Sequence, residues 1–399
     1  MISIICVLCL IVQISRKLFS ENGEIYEEMI LYIKNIKELF MNLIYKNDPS
    51  FDDLFESIQI TFSNMTYAYT TLIQNYFSIY SNIKENLSFI IEIDNKPVAF
   101  CPLFLEINNS QNMFTLSQSF LPAPLFFPGL GQKIMNKVTT LLMATIDELA
   151  FRYDVTKHCV RIDPLLDYDG VSSNWLLKYG YLGTSIHTQI LDLRKPLSDI
   201  FSKVSKGHKS DIKKAQKHFS VYVWDRTNAD FECFENYRKL HHKAAGKVTR
   251  PLETFSLQFE GIKQDKAILV GIKYKEDWIA YSYFSHVNNC IYYGSASDDP
   301  DFSELPASCG HLQLWTAIEY YHQRGFHFLE TGWQHYGPQL LDYPSAKEIH
   351  ISKFKKGFGG ETLPFFRAVK YYSEKAFIED VDTFKQKQLE FINSTQKDL

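Results

Sequence analysis

A chain of 399 residues that is 45% hydrophobic and 15% aromatic carries enough apolar side chain for two ordinary cores, which excludes wholesale disorder. Its formal net charge of -4 excludes a surface coated in positive charge for nucleic acid, although a local basic patch is allowed. The seven cysteines are scattered apart from Cys6 and Cys9, so neither a disulfide framework nor a zinc ribbon is expected, and the thiols read as reduced in a cytoplasmic protein.

Met1 to Ile14 is apolar, but it is shorter than the roughly 20 residues that span a bilayer, and no basic residue precedes it. It reads as a core or interface helix, and no stable membrane insertion is expected. Residues 1–85 together are expected to form a helical N-terminal extension. Ile30, Ile33, Ile36 and Phe40 recur at helical spacing, Asp48-Pro49-Ser50 breaks the run, and Phe51 to Phe62 resumes it.

Residues 86–200 read as a first α/β domain. Phe89 to Ile93 and Val98 to Leu105 are strands joined by a turn at Asp94-Asn-Lys-Pro97, and a third extended piece covers Met113 to Phe120. Pro122, Pro124, Pro128 and Gly129 then interrupt the chain before a helix from Gln132 to Phe151. A buried strand ends at Asp163-Pro164, a short helix from Trp175 to Tyr179 stops at Gly180, and Gln189 to Leu193 is extended. Residues 201–219 form a basic linker helix.

Residues 220–372 repeat the alternation as a second domain. Strands are expected at Val221 to Trp224, Ala267 to Ile272, Trp278 to Phe284 and Cys290 to Gly294, with helices over Asp230 to Ala245 and Leu252 to Phe259. The helix from Leu312 to Gln323 carries Leu314, Ala317, Ile318 and Tyr321 on one face and stops at Gly325. Phe326 to Glu330 is a strand, Lys347 to Phe358 a helix with Ile351, Phe354 and Phe358 inward, and Thr362 to Tyr371 the last strand. Residues 373–399 form a polar helical tail. Lys178-Tyr-Gly180-Tyr-Leu-Gly183 and Lys355-Lys-Gly357-Phe-Gly-Gly360 share one pattern, and each lies between a helix and a strand in the same order of elements, so the two domains read as a duplicated unit.

Chemistry concentrates at four places. Lys206, Lys209, Lys213 and Lys217 recur at helical spacing beside His208, which makes either a phosphate site or a solvated linker face. Lys355 borders a buried stripe and either projects into a cleft or snorkels to solvent. Glu330, followed by Trp333 and Tyr336, is expected at a strand end, where ligands collect in α/β units; it either serves an amine or makes an ordinary ion pair. Tyr293 and Ser295 stand at a second strand end, as substrate contacts or a plain turn. His311 reads as a cap of the following helix.

These motifs, in this order, resemble the FemAB-like branch of the GNAT superfamily, the peptidoglycan-bridge aminoacyltransferases and their relatives. The resemblance covers about Phe89 to Tyr372. It rests on His208 to Lys217, on the helix that begins Leu312-Gln-Leu-Trp315 with the strand bearing Glu330, and on Phe354-Lys355-Lys-Gly-Phe-Gly359. It implies two tandem GNAT-like domains, mixed central sheets flanked by helices, and transfer of an acyl or aminoacyl group to an amine of a phosphate-bearing, sugar or peptide acceptor. By position it makes Lys355 and Glu330 catalytic, and it makes His208, Lys209, Lys213, Tyr293, Ser295, Trp333 and Tyr336 substrate-binding. Acyl-CoA is the implied donor, with aminoacyl-tRNA as the alternative; the acceptor is a small or nucleotide-linked molecule, and neither a metal nor DNA is expected. Two departures stand out: Lys209 replaces an expected arginine, and no long heptad arm interrupts the second domain. A catalytically degenerate pair used as a binding module is the non-enzymatic alternative.

Overall fold

In the first half of the chain, alternating apolar residues build two small sheets around one long helix. The structure is a computed structural model that describes residues 41–62, 65–166, 173–302 and 304–395. The apolar start, the Cys6 and Cys9 pair and the helical spacing from Ile30 to Phe40 lie outside those residues. One four-stranded sheet has the order β1 (Met41–Tyr45), β3 (Phe89–Ile93), β4 (Lys96–Cys101) and β8 (Leu125–Phe126). Asp94 and Asn95, at φ 51° and 58°, make the tight turn between β3 and β4 that their sequence announced.

A second sheet uses β2 (Ile83–Asn86), β5 (Phe104–Asn108), β6 (Gln111–Phe114), β7 (Leu121–Pro122), β9 (Val155–Arg161) and β10 (Leu182–Gly183). The helix between β8 and β9 covers Gln132–Arg152, and its Val138, Leu141, Leu142, Ile146 and Leu149 face the core. Shorter helices α1 (Phe51–Thr61) and α2 (Thr71–Tyr80) precede this helix, which is α3. The described part of the expected helical extension is helical over Phe51–Thr61, as the sequence indicated, and over Thr71–Tyr80, but it is not helical throughout. Met41–Tyr45 is a strand because Met41 and Leu43 pair with β3 and pack on its core, and Ile83–Asn86 is a strand that pairs with β5.

The second half centres on a seven-stranded sheet of order β12 (Ser220–Trp224), β13 (Ala267–Tyr274), β14 (Asp277–Val287), β15 (Cys290–Asp298), β16 (Phe328–Gln334), β11 (Ile186–Asp192) and β17 (Glu361–Phe365). Its helices are α4 (Leu197–Lys203), α5 (Lys206–His218), α6 (Phe231–Ala245), α7 (Leu252–Lys263), α8 (Cys309–Gln323) and α9 (Ala346–Lys356). The expected face of α8 is fully buried at Leu314, Ala317, Ile318 and Tyr321, where truncating Leu314 to alanine costs about 2–5 kcal/mol. The basic helix α5 is no free linker, since Ile212 and Ala215 are buried in the second core. The polar tail forms α10 (Glu374–Thr395), held by Lys157 to Asp380 at 2.6 Å. No described helix is long and apolar enough to cross a membrane, and the five described cysteines are free thiols.

The expected last strand is two strands in different sheets. Glu361–Phe365 pairs with β11, and β18 (Arg367–Tyr371) inserts between β10 and β9 of the first half. Conversely β11, expected in the first domain, lies inside the sheet of the second. Leu182↔Val369, Ile186↔Phe365 and Ile190↔Glu361 keep one antiparallel register, so residues 182–190 and 361–369 form a single ribbon through both sheets. The two matched Lys-Gly-aromatic segments sit at the entrances to this ribbon, but with different backbones: Gly180 has φ 82°, whereas Gly357 is helical at φ -62° and Gly360 is left-handed at φ 78°.

Candidate active site

The parallel strands β15 and β16 touch for three residues only, Cys290↔Phe328, Ile291↔Leu329 and Tyr292↔Glu330, and then part. Beyond that point each strand pairs solely with its outer neighbour, and each carries an extra residue. The register with β14 shifts around Gly294, and the register with β11 shifts around Thr331. Bulges of this kind twist a strand away from its partner. The opening between them is closed by α8 from one side and α9 from the other.

Two adjoining cavities occupy the opening. The larger, about 480 Å3, is lined by Tyr293 to Asp298, Ser308, Gly310, Gln313 and the α9 side chains Lys347, Ile351, Phe354 and Lys355. The second, about 380 Å3, adds Tyr292, Glu330, Gly332, Trp333, His335 and Glu348, and shares Tyr293, Ile351 and Lys355 with the first. Ser308 begins α8 without a side-chain cap, so the first-turn amides beside the larger cavity have no capping side chain among the described residues. Ile351, expected inward, is 39% exposed because it faces this opening.

Glu330 is buried, in mid-strand and not at a strand end, and its Oε1 accepts a hydrogen bond from the Thr188 hydroxyl at 2.7 Å. Burial and then the nearby Asp163 charge push its carboxyl up to about 7, while the Thr188 hydrogen bond and the charges of Arg161 and Lys355 pull the other way. Lys355 responds in the opposite sense. Burial lowers its ammonium below the usual lysine range, and the Glu330 charge offsets part of that. Its Nζ lies 5.9 Å from the centre of the Tyr293 ring, which in turn stacks on Phe284 at 5.0 Å. A base near neutrality and a cation thus share one partly dry cavity.

The structure also gathers Tyr293, Ser295 and Trp333 at the cavities. Tyr293 and Ser295 lie inside β15, which runs on to Asp298, so neither stands at a turn. Ser295 Oγ is 2.6 Å from the buried Tyr237 hydroxyl, which accepts from Arg250 at 3.2 Å. The other sites lie elsewhere. The His208 ring packs on Phe358 and His311, with Nε2 2.8 Å from the Phe354 carbonyl oxygen, so it braces α9 from behind. Lys209 donates to the Ser202 carbonyl at 2.8 Å, Lys213 lies over Phe201, and Tyr336 is 54% exposed beside Lys356. None of these four lines either cavity. His311 sits within the first turn of α8 and caps nothing; burial pushes its imidazole down to about 4.

Asp163, Tyr237, Gln313 and Lys347 were not singled out from the sequence. Lys347 was legible, since Lys347, Ile351 and Lys355 follow one another at four-residue intervals on a single helix face. Asp163 and Tyr237 act from other elements, and no local pattern marks them.

Comparison with solved structures gives the fold. The crystal structure of FemX superposes with a TM-score of 0.51 at 12% identity, covering 82% of this chain and 96% of that one. A tandem GNAT protein from the clavulanic acid biosynthesis pathway matches at 0.48 and 14% identity over 84% of this chain and 99% of that one. A putative lysylphosphatidylglycerol synthetase C-terminal domain from Agrobacterium fabrum matches at 0.48 and 10% identity, over 80% and 92%. No family model and no curated protein matches by sequence. The chain therefore shares the fold of FemX.

Proposed function

We propose that the protein is an N-acyltransferase, moving an acetyl or aminoacyl group from an activated donor to an amine of a phosphate-bearing, sugar or peptide acceptor. The observation that carries this is the meeting of Glu330 and Lys355 in one cavity where two parallel strands part, beside an uncapped helix start. An attacking ammonium must first lose a proton, and Glu330, poised near neutrality, is matched to take it. The amine nitrogen then bonds to the acyl carbon while the carbonyl electron pair moves onto oxygen. The Lys355 ammonium and nearby N–H groups stabilise that oxyanion. Collapse returns the pair to the carbonyl and expels the donor's leaving group, which takes up the nitrogen's second proton and departs as the free thiol or hydroxyl. No covalent enzyme intermediate is needed; most of the rate comes from holding the two reactants together.

The uncapped amides at the start of α8 and the Lys347 ammonium suit the phosphates of an acyl-CoA donor. A charged transfer RNA is the second reading, favoured by the exposed lysines Lys206, Lys213 and Lys217 along α5. The full chain incubated with acetyl-CoA and a panel of amines should release thiol in an amine-dependent manner, and Lys355→Ala should abolish it. If neither thioesters nor charged transfer RNA support transfer, or Lys355→Ala leaves it intact, the assignment fails. Steep loss of donor binding with salt would select the transfer RNA donor.

A further inference from the structure

A separate cavity of about 260 Å3 lies where the second sheet of the first half meets the loop that follows β16. Its most informative wall is Arg367, a side chain only 1% exposed. The Arg367 Nε donates to the Thr184 carbonyl at 3.1 Å, and Nη1 lies 3.7 Å from Asp342. Nη2 has no protein partner among the described residues. Asp342 is shared, because the His335 Nδ1 lies 3.1 Å from its other oxygen. The guanidinium lies over the rings of Phe120 at 4.5 Å and Trp333 at 5.8 Å. Burial lowers its proton affinity, yet a guanidinium stays charged, so an unfilled donor here carries a desolvation cost.

A second donor stands on the same cavity. The Tyr343 hydroxyl is buried and finds no acceptor for its proton among the described residues. Lys157 also lines the space, but its ammonium is tied to Asp380 at 2.6 Å. The remaining wall is mixed: Met113, Phe120, Leu341 and Trp333 are apolar, Thr115, Gln118 and Ser119 are polar, and the Asp342 carboxylate, already facing Arg367 and His335, also lines the space. Two idle donors, one of them cationic, match two carboxylate oxygens, with Met113, Phe120 and Leu341 to receive a short aliphatic body and polar side chains beside them for an amino group.

We propose that this cavity binds a small carboxylate, such as an amino acid or short-chain acid, with its carboxylate on Arg367 and Tyr343. Trp333 walls both this cavity and the one holding Glu330, so occupancy is also visible in tryptophan fluorescence. The test titrates the full chain with butyrate, L-alanine and L-leucine, each against its amide, reading thermal midpoint and fluorescence without any acyl donor. At least one acid should raise the midpoint while its amide does not. Tyr343→Phe should weaken that acid about fivefold and change the ligand-free midpoint little, since the hydroxyl proton has no acceptor to lose. Arg367→Lys should weaken it further. Equal effects of acid and amide, no effect of any acid, or unchanged affinity in Tyr343→Phe would overturn the proposal. The outcome is independent of acyl transfer.

Discussion

The Lys355 ammonium occupies the place that a side chain at residue 332 would fill. A Cβ built on Gly332 would lie 2.6 Å from Nζ, and the backbone there holds φ 100°. The glycine is thus needed twice, for a conformation that L-residues avoid and for the approach of a cation to the bulged strand.

Gly332→Ala is therefore expected to cost about 1–3 kcal/mol of stability from backbone strain. It should also displace the ammonium and lower turnover on the order of tenfold to a hundredfold. Urea denaturation and steady-state kinetics on the same preparation check both; a variant with native stability and native turnover would contradict the geometry.

Glu330 gives a pH signature with a definite sign. Its carboxyl is raised from 4.5 to about 7, so the folded state binds the proton more tightly than the unfolded one. Stability contributed by this group is present at low pH and declines as pH rises from 4.5 to about 7. Glu330→Gln should match the parent near pH 4.5 and exceed it above pH 7, by on the order of 1–3 kcal/mol. The rate of transfer should rise through the same region in the parent and lose that limb in the variant. Thermal melts and a pH–rate profile provide the measurement.

Tyr237 links Arg250 to Ser295, and Arg250 also donates to Tyr76 on α2 at 2.6 Å. Tyr237→Phe should destabilise the fold by about 1–3 kcal/mol, because it leaves buried donors short of an acceptor. Since Ser295 lines the larger cavity, donor affinity should fall along with stability. Calorimetric titration with the donor would separate this from a purely structural loss.

Gly360 stands at the entrance to the ribbon with φ 78°, where a Cβ would strike the Ile190 carbonyl, 2.9 Å from its carbon. The obstacle is backbone, so it cannot swing aside. Gly360→Ala should cost about 2–4 kcal/mol, more than Gly332→Ala, whose neighbour is a flexible lysine tip. Comparing denaturant midpoints of the two variants decides the ranking.

Much of the second half was legible because its signals are local. The α8 stripe at Leu314, Ala317, Ile318 and Tyr321, the Gly325 stop at φ 75° and the helix carrying Lys355 follow from helical period and punctuation. Strand ends were not legible. Glu330 and Ser295 fall in mid-strand because bulges let β15 and β16 continue past their parting, and a bulge leaves little trace in an apolar pattern. His208 looked like a ligand contact by its place on a basic helix, yet its other neighbours, Phe354 and Phe358, are more than a hundred residues distant. The exchange of β11 and β18 was hidden for the same reason: alternation says that a segment is a strand, not which sheet receives it.

Because β18 is an interior strand of a sheet whose other members end by residue 183, the first half cannot finish that sheet as it leaves the ribosome. Its β9 side stays open until Arg367–Tyr371 has been synthesised, while the sheet of the second half already holds β11 from upstream. Vectorial synthesis therefore does not complete one domain before the other. A chain released early, anywhere before residue 367, exposes an unpaired flank of β9, which is a template for pairing with other chains.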